Sequence, residues 1–191
     1  MPGALLLDTN CLALLLKRPV PQAAINILSL GVPLCAPEIV MMEIYSVLGK
    51  YRRMQKTCVD KCKRTVIDDF GAKKECCHSW FQIHSKRINR AQYSDLRKLL
   101  VQIEDGVGPL QLTVLPISTD VVNFGKSYLS YYSDKCNFGS HDAMIAGFQA
   151  HYSQRFSYKL KMATCDRGLK QLLIAAKLPY IDPEQITPRV A

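Results

Sequence analysis

Four acids, Asp8, Glu43, Asp142 and Asp166, stand where a carboxylate needs a reason. Asp8 ends Ala4-Leu5-Leu6-Leu7, an apolar run without helical period that reads as a strand buried on both faces. Glu43 shares a helical face with Val40, Ile44 and Val47, a lone acid on an apolar stripe. Asp142 falls in the first turn of a helix that Ser140 would cap, where the helix dipole favours its charged form. Asp166 follows a second apolar strand, Lys161 to Cys165. Carboxylates gathered at low dielectric repel, and a divalent cation relieves that repulsion. Mg²⁺ or Mn²⁺, as one or two ions, suits a shell of carboxylates and water. Such an ion acidifies water and stabilises charge on a phosphate under attack. Each acid also has a simpler explanation, Asp8 as the cap of the next helix above all. Asp134 is a rival for the third acid, and His141 beside Asp142 reads as structural.

These acids need elements to bring them together. Strands are expected at 4–7, 32–36, 112–117, 161–165 and 179–182. Helices are expected after Asp8, over 22–30, from Pro37 to about Lys50, from Ser118 or Thr119 to Tyr132, over 141–150 and over 168–177. Strands and helices alternate outside 51–100, which predicts a three-layer α/β/α sandwich with a central parallel sheet of four to five strands. Asp8 and Asp166 then share the carboxyl edge of that sheet, where open α/β folds bind ligands. The segment 51–100 is patterned as two or three helices broken at Asp69-Phe70-Gly71. We read it as a basic helical insertion within a single domain spanning 1–191.

The chain has 191 residues and a net charge of +9, and residues 50–98 alone hold 14 Lys and Arg against 5 Asp and Glu. One segment therefore carries the entire excess, which points to a polyanion and first to nucleic acid. Lys50, Arg52, Arg53, Lys56, Lys61, Lys63 and Arg64 are the candidate RNA contacts. No apolar run reaches the roughly 18 residues of a membrane span, and no signal peptide is apparent, so a cytoplasmic protein with no membrane partner is expected. Of eight cysteines, Cys11, Cys35, Cys136 and Cys165 read as buried thiols. Cys58, Cys62, Cys76 and Cys77, near His78 and His84, lack paired C-x-x-C knuckles, so zinc is not expected there.

The motif residues resemble the PIN-domain ribonucleases, a VapC-toxin-like core with a basic insertion. The resemblance rests on Leu5-Leu6-Leu7-Asp8-Thr9-Asn10, Pro37 through Glu43, Asp142-Ala143-Met144-Ile145-Ala146 and Thr164-Cys165-Asp166, in that order. It implies that Asp8, Glu43 and Asp142 ligate the metal and that Asp166 completes the site directly or through water. Thr9, Asn10 and Thr164 would orient ligands or water. It also implies cleavage of RNA to 5′-phosphate and 3′-hydroxyl ends, and leaves three roles open, a toxin-type RNase restrained by a protein antitoxin or inhibitor, a delivered effector domain or a processing enzyme, with a homodimer as a further partner. Compact members lack an insertion like 51–100, so their substrate preferences do not carry over. The spacing from Asp142 to Asp166 is long, which fits a polar stretch at Tyr152-Ser153-Gln154-Arg155.

Two other functions fit parts of this pattern. A PIN-like RNA-binding or assembly module with weak or no catalysis would account for the charge but leave four acids without a purpose. Hydrolysis of DNA or a small phosphoester is a third, although Asp8-Thr9-Asn10 lacks the second acid of a D-x-D phosphatase motif.

Overall fold

In the computed structural model, which describes residues 3–17, 19–53, 65–67, 73–75, 88–155 and 160–186, the N-terminal apolar run is strand β1 (Ala4–Leu7), buried at all four positions. Full burial of a leucine is worth about 2 kcal/mol, so these three leucines anchor the sheet. Helix α1 (Thr9–Leu16) and helix α2 (Gln22–Ser29) follow, then β2 (Leu34–Pro37) and α3 (Glu38–Arg53). After the short strands β3 (Thr65–Ile67) and β4 (Lys73–Glu75) come α4 (Arg90–Glu104), β5 (Leu112–Leu115), α5 (Thr119–Tyr132) and α6 (Ser140–Arg155). The chain then forms β6 (Leu160–Ala163), α7 (Arg167–Ala175) and β7 (Tyr180–Ile181).

Five strands make one parallel sheet in the order β5-β2-β1-β6-β7, so all five expected strands are present. The chain moves outward from β1 through β2 to β5, then returns to β6 on the other side of β1. The order therefore reverses between β1 and β6, the crevice where ligands bind in such sheets. The register pairs Leu7 with Ala163, and the Asp8 amide donates to Ala163 O at 3.2 Å. Asp8 and Thr164 thus leave the two strands side by side.

Helices α1 and α2 pack together, and α5, α6 and α7 pack together, completing an α/β/α sandwich. Helix α6 is apolar over most of its circumference and correspondingly buried, from Ala143 and Ile145 through Ala150 to Tyr152. Buried Gln149 donates through Nε2 to Leu160 O (3.0 Å) and Pro179 O (2.6 Å), while Tyr152 donates to Pro116 O at 2.8 Å. These bonds tie α6 to both flanks of the sheet and fix its first turn, which carries Asp142. Gly147 lets α5 approach, since a Cβ there would sit 2.6 Å from Val121 O.

The chain divides into two compact units, Met1–Ile44 with Leu99–Ala191, and Tyr45–Lys98. Within the second, β3 and β4 pair antiparallel, Thr65 opposite Glu75 and Ile67 opposite Lys73. The helical expectation for 51–100 needs correction there: α3 and α4 supply helix at its ends, but the described middle is a strand pair. Thr65, Val66 and Ile67 are all β-branched and stiff at χ1, which favours the extended state. The predicted break at 69–71 lies outside the described residues. Among the described residues, no helix is long and apolar enough to cross a membrane.

Candidate functional site

Asp8 is 2% exposed and leaves β1 as the N-cap of α1. Its Oδ1 accepts from the Cys11 amide at 2.6 Å, and its Oδ2 accepts from Thr164 Oγ1 at 2.5 Å. Capping and ligation are therefore not alternatives, because each carboxylate oxygen keeps a second lone pair. Burial pushes the Asp8 carboxyl up from 3.8 to about 6, against hydrogen bonds from Thr164 and Cys11 that favour its charged form, and the charge of Asp166 adds to the rise.

Asp166 is likewise an N-cap, of α7, with Oδ1 accepting from the Leu169 amide at 2.8 Å, while its own amide donates to Thr164 Oγ1 at 3.0 Å. Fully buried Thr164 therefore bridges the two acids, accepting from one residue's backbone and donating to the other's carboxylate. Asp142 reaches back from the third position of α6 to accept from the Gly139 amide at 3.0 Å, the acidic half of a capping box. Gly139, not Ser140, is then the capping residue. Burial raises the Asp142 carboxyl, with Asp166 and Glu43 pushing further in that direction and His141 opposing.

Glu43 stands at the margin of the α3 stripe rather than within it. Val40 and Ile44 are buried, whereas the Glu43 side chain is 41% exposed. Its Oε2 accepts from Thr9 Oγ1 at 2.5 Å and lies 3.0 Å from His141 Nε2. The expectation that His141 is merely structural therefore needs qualification, since it faces one predicted ligand and adjoins another. Nothing in the spacing of Glu43 and His141 along the chain signals that contact.

The four predicted acids thus form a chain of neighbouring charges, Asp8 to Asp166, Asp166 to Asp142 and Asp142 to Glu43, and Thr9 and Thr164 hold Glu43 and Asp8 in place. Asn10 is an exposed residue of α1, and the rival Asp134 is exposed in the turn after α5. The donor set is all oxygen, and burial raises the Asp8 and Asp142 carboxyls within it; an all-oxygen set fits a hard divalent cation. Its oxygens are spread rather than clenched. Among the described residues, the grouping whose ligand atoms lie within 4.8 Å of one another is instead Cys165, Asp182 and Glu184. Lys170 Nζ already sits 2.8 Å from Asp182 Oδ2 there, occupying the place of a cation. Spacing did not reveal that cluster either.

Of the predicted RNA contacts, Lys50 is exposed and Arg52 half-buried, and Arg53 ends α3. Lys56, Lys61, Lys63 and Arg64 lie outside the described residues, as do Cys58, Cys62, Cys76 and Cys77. Cys11 and Cys35 are buried as expected, but Cys136 and Cys165 are only partly so. The Cys11 and Cys165 thiols are hydrogen-bonded to each other; that bond and burial together raise Cys11 from the ordinary thiol range, whereas the same bond lowers Cys165 against the opposing effect of its own burial.

No protein-family model and no curated protein matches this chain. Solved structures do. The fold is similar to that of FitAcB from Neisseria gonorrhoeae, with a TM-score of 0.60 at 16% identity, covering 95% of this chain and 99% of that one. VapBC-1 from nontypeable Haemophilus influenzae gives 0.55 at 14% identity over 95% and 99% of the two chains. A toxin-antitoxin complex from Klebsiella pneumoniae gives 0.53 at 16% identity over 95% and 98%. The fold is therefore the PIN-like, VapC-type α/β/α sandwich.

Proposed function

We propose that this chain is a toxin-type endoribonuclease dependent on Mg²⁺ or Mn²⁺, in which Asp8, Glu43, Asp142 and Asp166 hold the metal. The observation that supports this reading is the nearly complete burial of Asp8 beside a second carboxylate, Asp166, where the strand order reverses, with Asp142 in turn near Asp166 and Glu43. A protein fold seldom keeps such repulsion without a use for it. When bound, the ion supplies positive charge for the scissile phosphate and acidity for the attacking water.

The chain's own side chains do the positioning. Thr164 holds the inner oxygen of Asp8, and Thr9 together with His141 holds Glu43. Attack by water at phosphorus with departure of the 3′-oxygen leaves 5′-phosphate and 3′-hydroxyl ends. The excess charge of residues 50–98 supports a bound polyanion, and RNA is favoured because the structurally similar complexes are toxin-antitoxin systems. The same likeness supports a protein antitoxin and a homodimer as partners and a cytoplasmic setting. We take 51–100 as the insertion that sets substrate choice.

Incubation with total cellular RNA and Mn²⁺, followed by sequencing of cut ends, tests this directly. Asp142→Asn should lower cleavage by at least about 100-fold while the fold is kept, and EDTA should abolish it. Unimpaired cleavage by the variant would refute the proposal. A non-catalytic RNA-binding module remains the second reading, favoured by the engagement of Glu43 with Thr9 and His141. It requires salt-sensitive RNA binding and no cleavage with any divalent ion.

A further inference from the structure

Cys11 and Cys165 have no part in the proposed reaction, yet each borders it. Cys11 lies in the first turn of α1, where its amide donates to the capping carboxylate of Asp8 and its thiol hydrogen-bonds to the same group. Cys165 lies between Thr164 and Asp166 and is partly open to solvent, whereas Cys11 is fully buried. The parallel register of β1 and β6 brings these two segments together, and the thiols lie within hydrogen-bonding reach of each other although 154 positions separate them. Both are free thiols. An accessible sulfur backed by a buried one is the arrangement of an attacking cysteine with its resolving partner.

We propose that Cys11 and Cys165 form a reversible disulfide site whose oxidant is a small hydroperoxide, and that the bond perturbs Asp8. Cys165 sulfur attacks the terminal peroxide oxygen; the S–O bond forms, the O–O bond breaks, and the thiol proton leaves with the departing oxygen as water or an alcohol. Cys11 sulfur then attacks the sulfenic sulfur. The S–S bond forms, the S–O bond breaks, and hydroxide takes the Cys11 proton to leave as water. The protein loses two hydrogens in total, and a dithiol reductant restores them.

Bond formation has two consequences for Asp8. The carboxylate loses the Cys11 thiol as a hydrogen-bond donor, and the two sulfurs close from hydrogen-bonding contact to about 2.05 Å. That closure draws the start of α1 toward the β6–α7 link, the two segments that carry Asp8 and Asp166. Loss of outer partners of metal ligands commonly weakens metal binding 10- to 100-fold. The effect on the cation rests on the functional reading above, whereas formation of the disulfide does not.

The test treats the full chain with stoichiometric hydrogen peroxide, blocks remaining thiols and digests with trypsin. Cys11 falls in peptide 1–17 and Cys165 in peptide 162–167, each with a single cysteine, so the link appears as one cross-linked mass that dithiothreitol removes. The expected result is that mass, its absence in Cys165→Ser, and Mn²⁺ binding weakened about tenfold by calorimetry in the oxidised wild type but unchanged by peroxide in the variant. Overoxidation of Cys165 with Cys11 still a free thiol would overturn the proposal, as would cross-linking that is equally fast in urea-unfolded protein. Failure of the reduced chain to bind Mn²⁺ would count against the metal site alone, because the mapped mass decides the disulfide independently.

Discussion

Replacement of Asp8 by Asn should make the protein more stable at neutral pH. The wild-type carboxyl is raised from 3.8 to about 6 despite donors from Cys11 and Thr164. A raised acid leaves its full contribution to stability in place below the unfolded value of 3.8 and loses it as pH climbs through the folded value near 6. About two pKa units at roughly 1.4 kcal/mol each give a native-state penalty on the order of 3 kcal/mol above pH 7. Asparagine resembles the protonated acid in shape and charge; its oxygen can accept from the Cys11 amide, and the Thr164 hydroxyl can turn to accept from its amide group. Urea unfolding of both proteins in EDTA should therefore show a gap below about 1 kcal/mol near pH 4 that widens to about 3 kcal/mol by pH 8, with Asp8→Asn the more stable. Added Mn²⁺ should narrow the gap from the wild-type side only, because only that protein gains binding energy. A pH-independent gap, or a variant less stable than wild type at pH 8, would show that Asp8 is comfortably ionised, and the case for a charge-strained pocket would be lost.

Thr164→Val keeps the shape of a fully buried side chain but strands both the inner oxygen of Asp8 and the Asp166 amide; a loss of about 1–3 kcal/mol in urea unfolding is expected, with weaker Mn²⁺ binding by calorimetry. Gly147→Ala forces a Cβ to 2.6 Å from Val121 O and 3.0 Å from the Gly125 amide, so α5 and α6 must part at a cost of about 1–3 kcal/mol, read from the thermal midpoint. Lys50→Glu with Arg52→Glu should weaken RNA binding and flatten its dependence on salt by about two phosphate contacts, measured by anisotropy across a salt series; an unchanged slope would remove these residues from the interface.

How far the site could be read from the sequence differed with the kind of contact. Leu5, Leu6 and Leu7 announce a buried strand because a parallel strand meets apolar neighbours on both faces, and an acid after such a run must emerge at the sheet edge. Asp8 and Asp166 were legible for that reason. The α6 boundary was not: polar Ser153, Gln154 and Arg155 suggest a loop after residue 150, yet the helix continues to Arg155 because Tyr152 is buried and bonded to Pro116 O. That extra helical length also accounts for the long interval between Asp142 and Asp166. Pro37 closes β2 opposite Leu115 instead of opening α3.

Least legible were contacts that depend on how one element is rotated against another. Periodicity assigns Glu43 to a stripe but cannot say that it stands at the stripe's margin, where Thr9 and His141 reach it. It cannot pair Cys11 with Cys165 either, because their meeting follows from β1 lying next to β6, a neighbour relation that no local pattern encodes. The capping role of Asp8 is compatible with the metal role proposed for it. A strand that runs directly into a helix must turn at an acceptor, and the carboxylate that accepts is thereby aimed along the crevice with lone pairs to spare. The same turn recurs at Asp166, which also caps its helix. Two caps on adjacent parallel strands therefore bring two carboxylates together without any dedicated scaffold, and the burial that makes the Asp8 charge costly is what the proposed cation would offset.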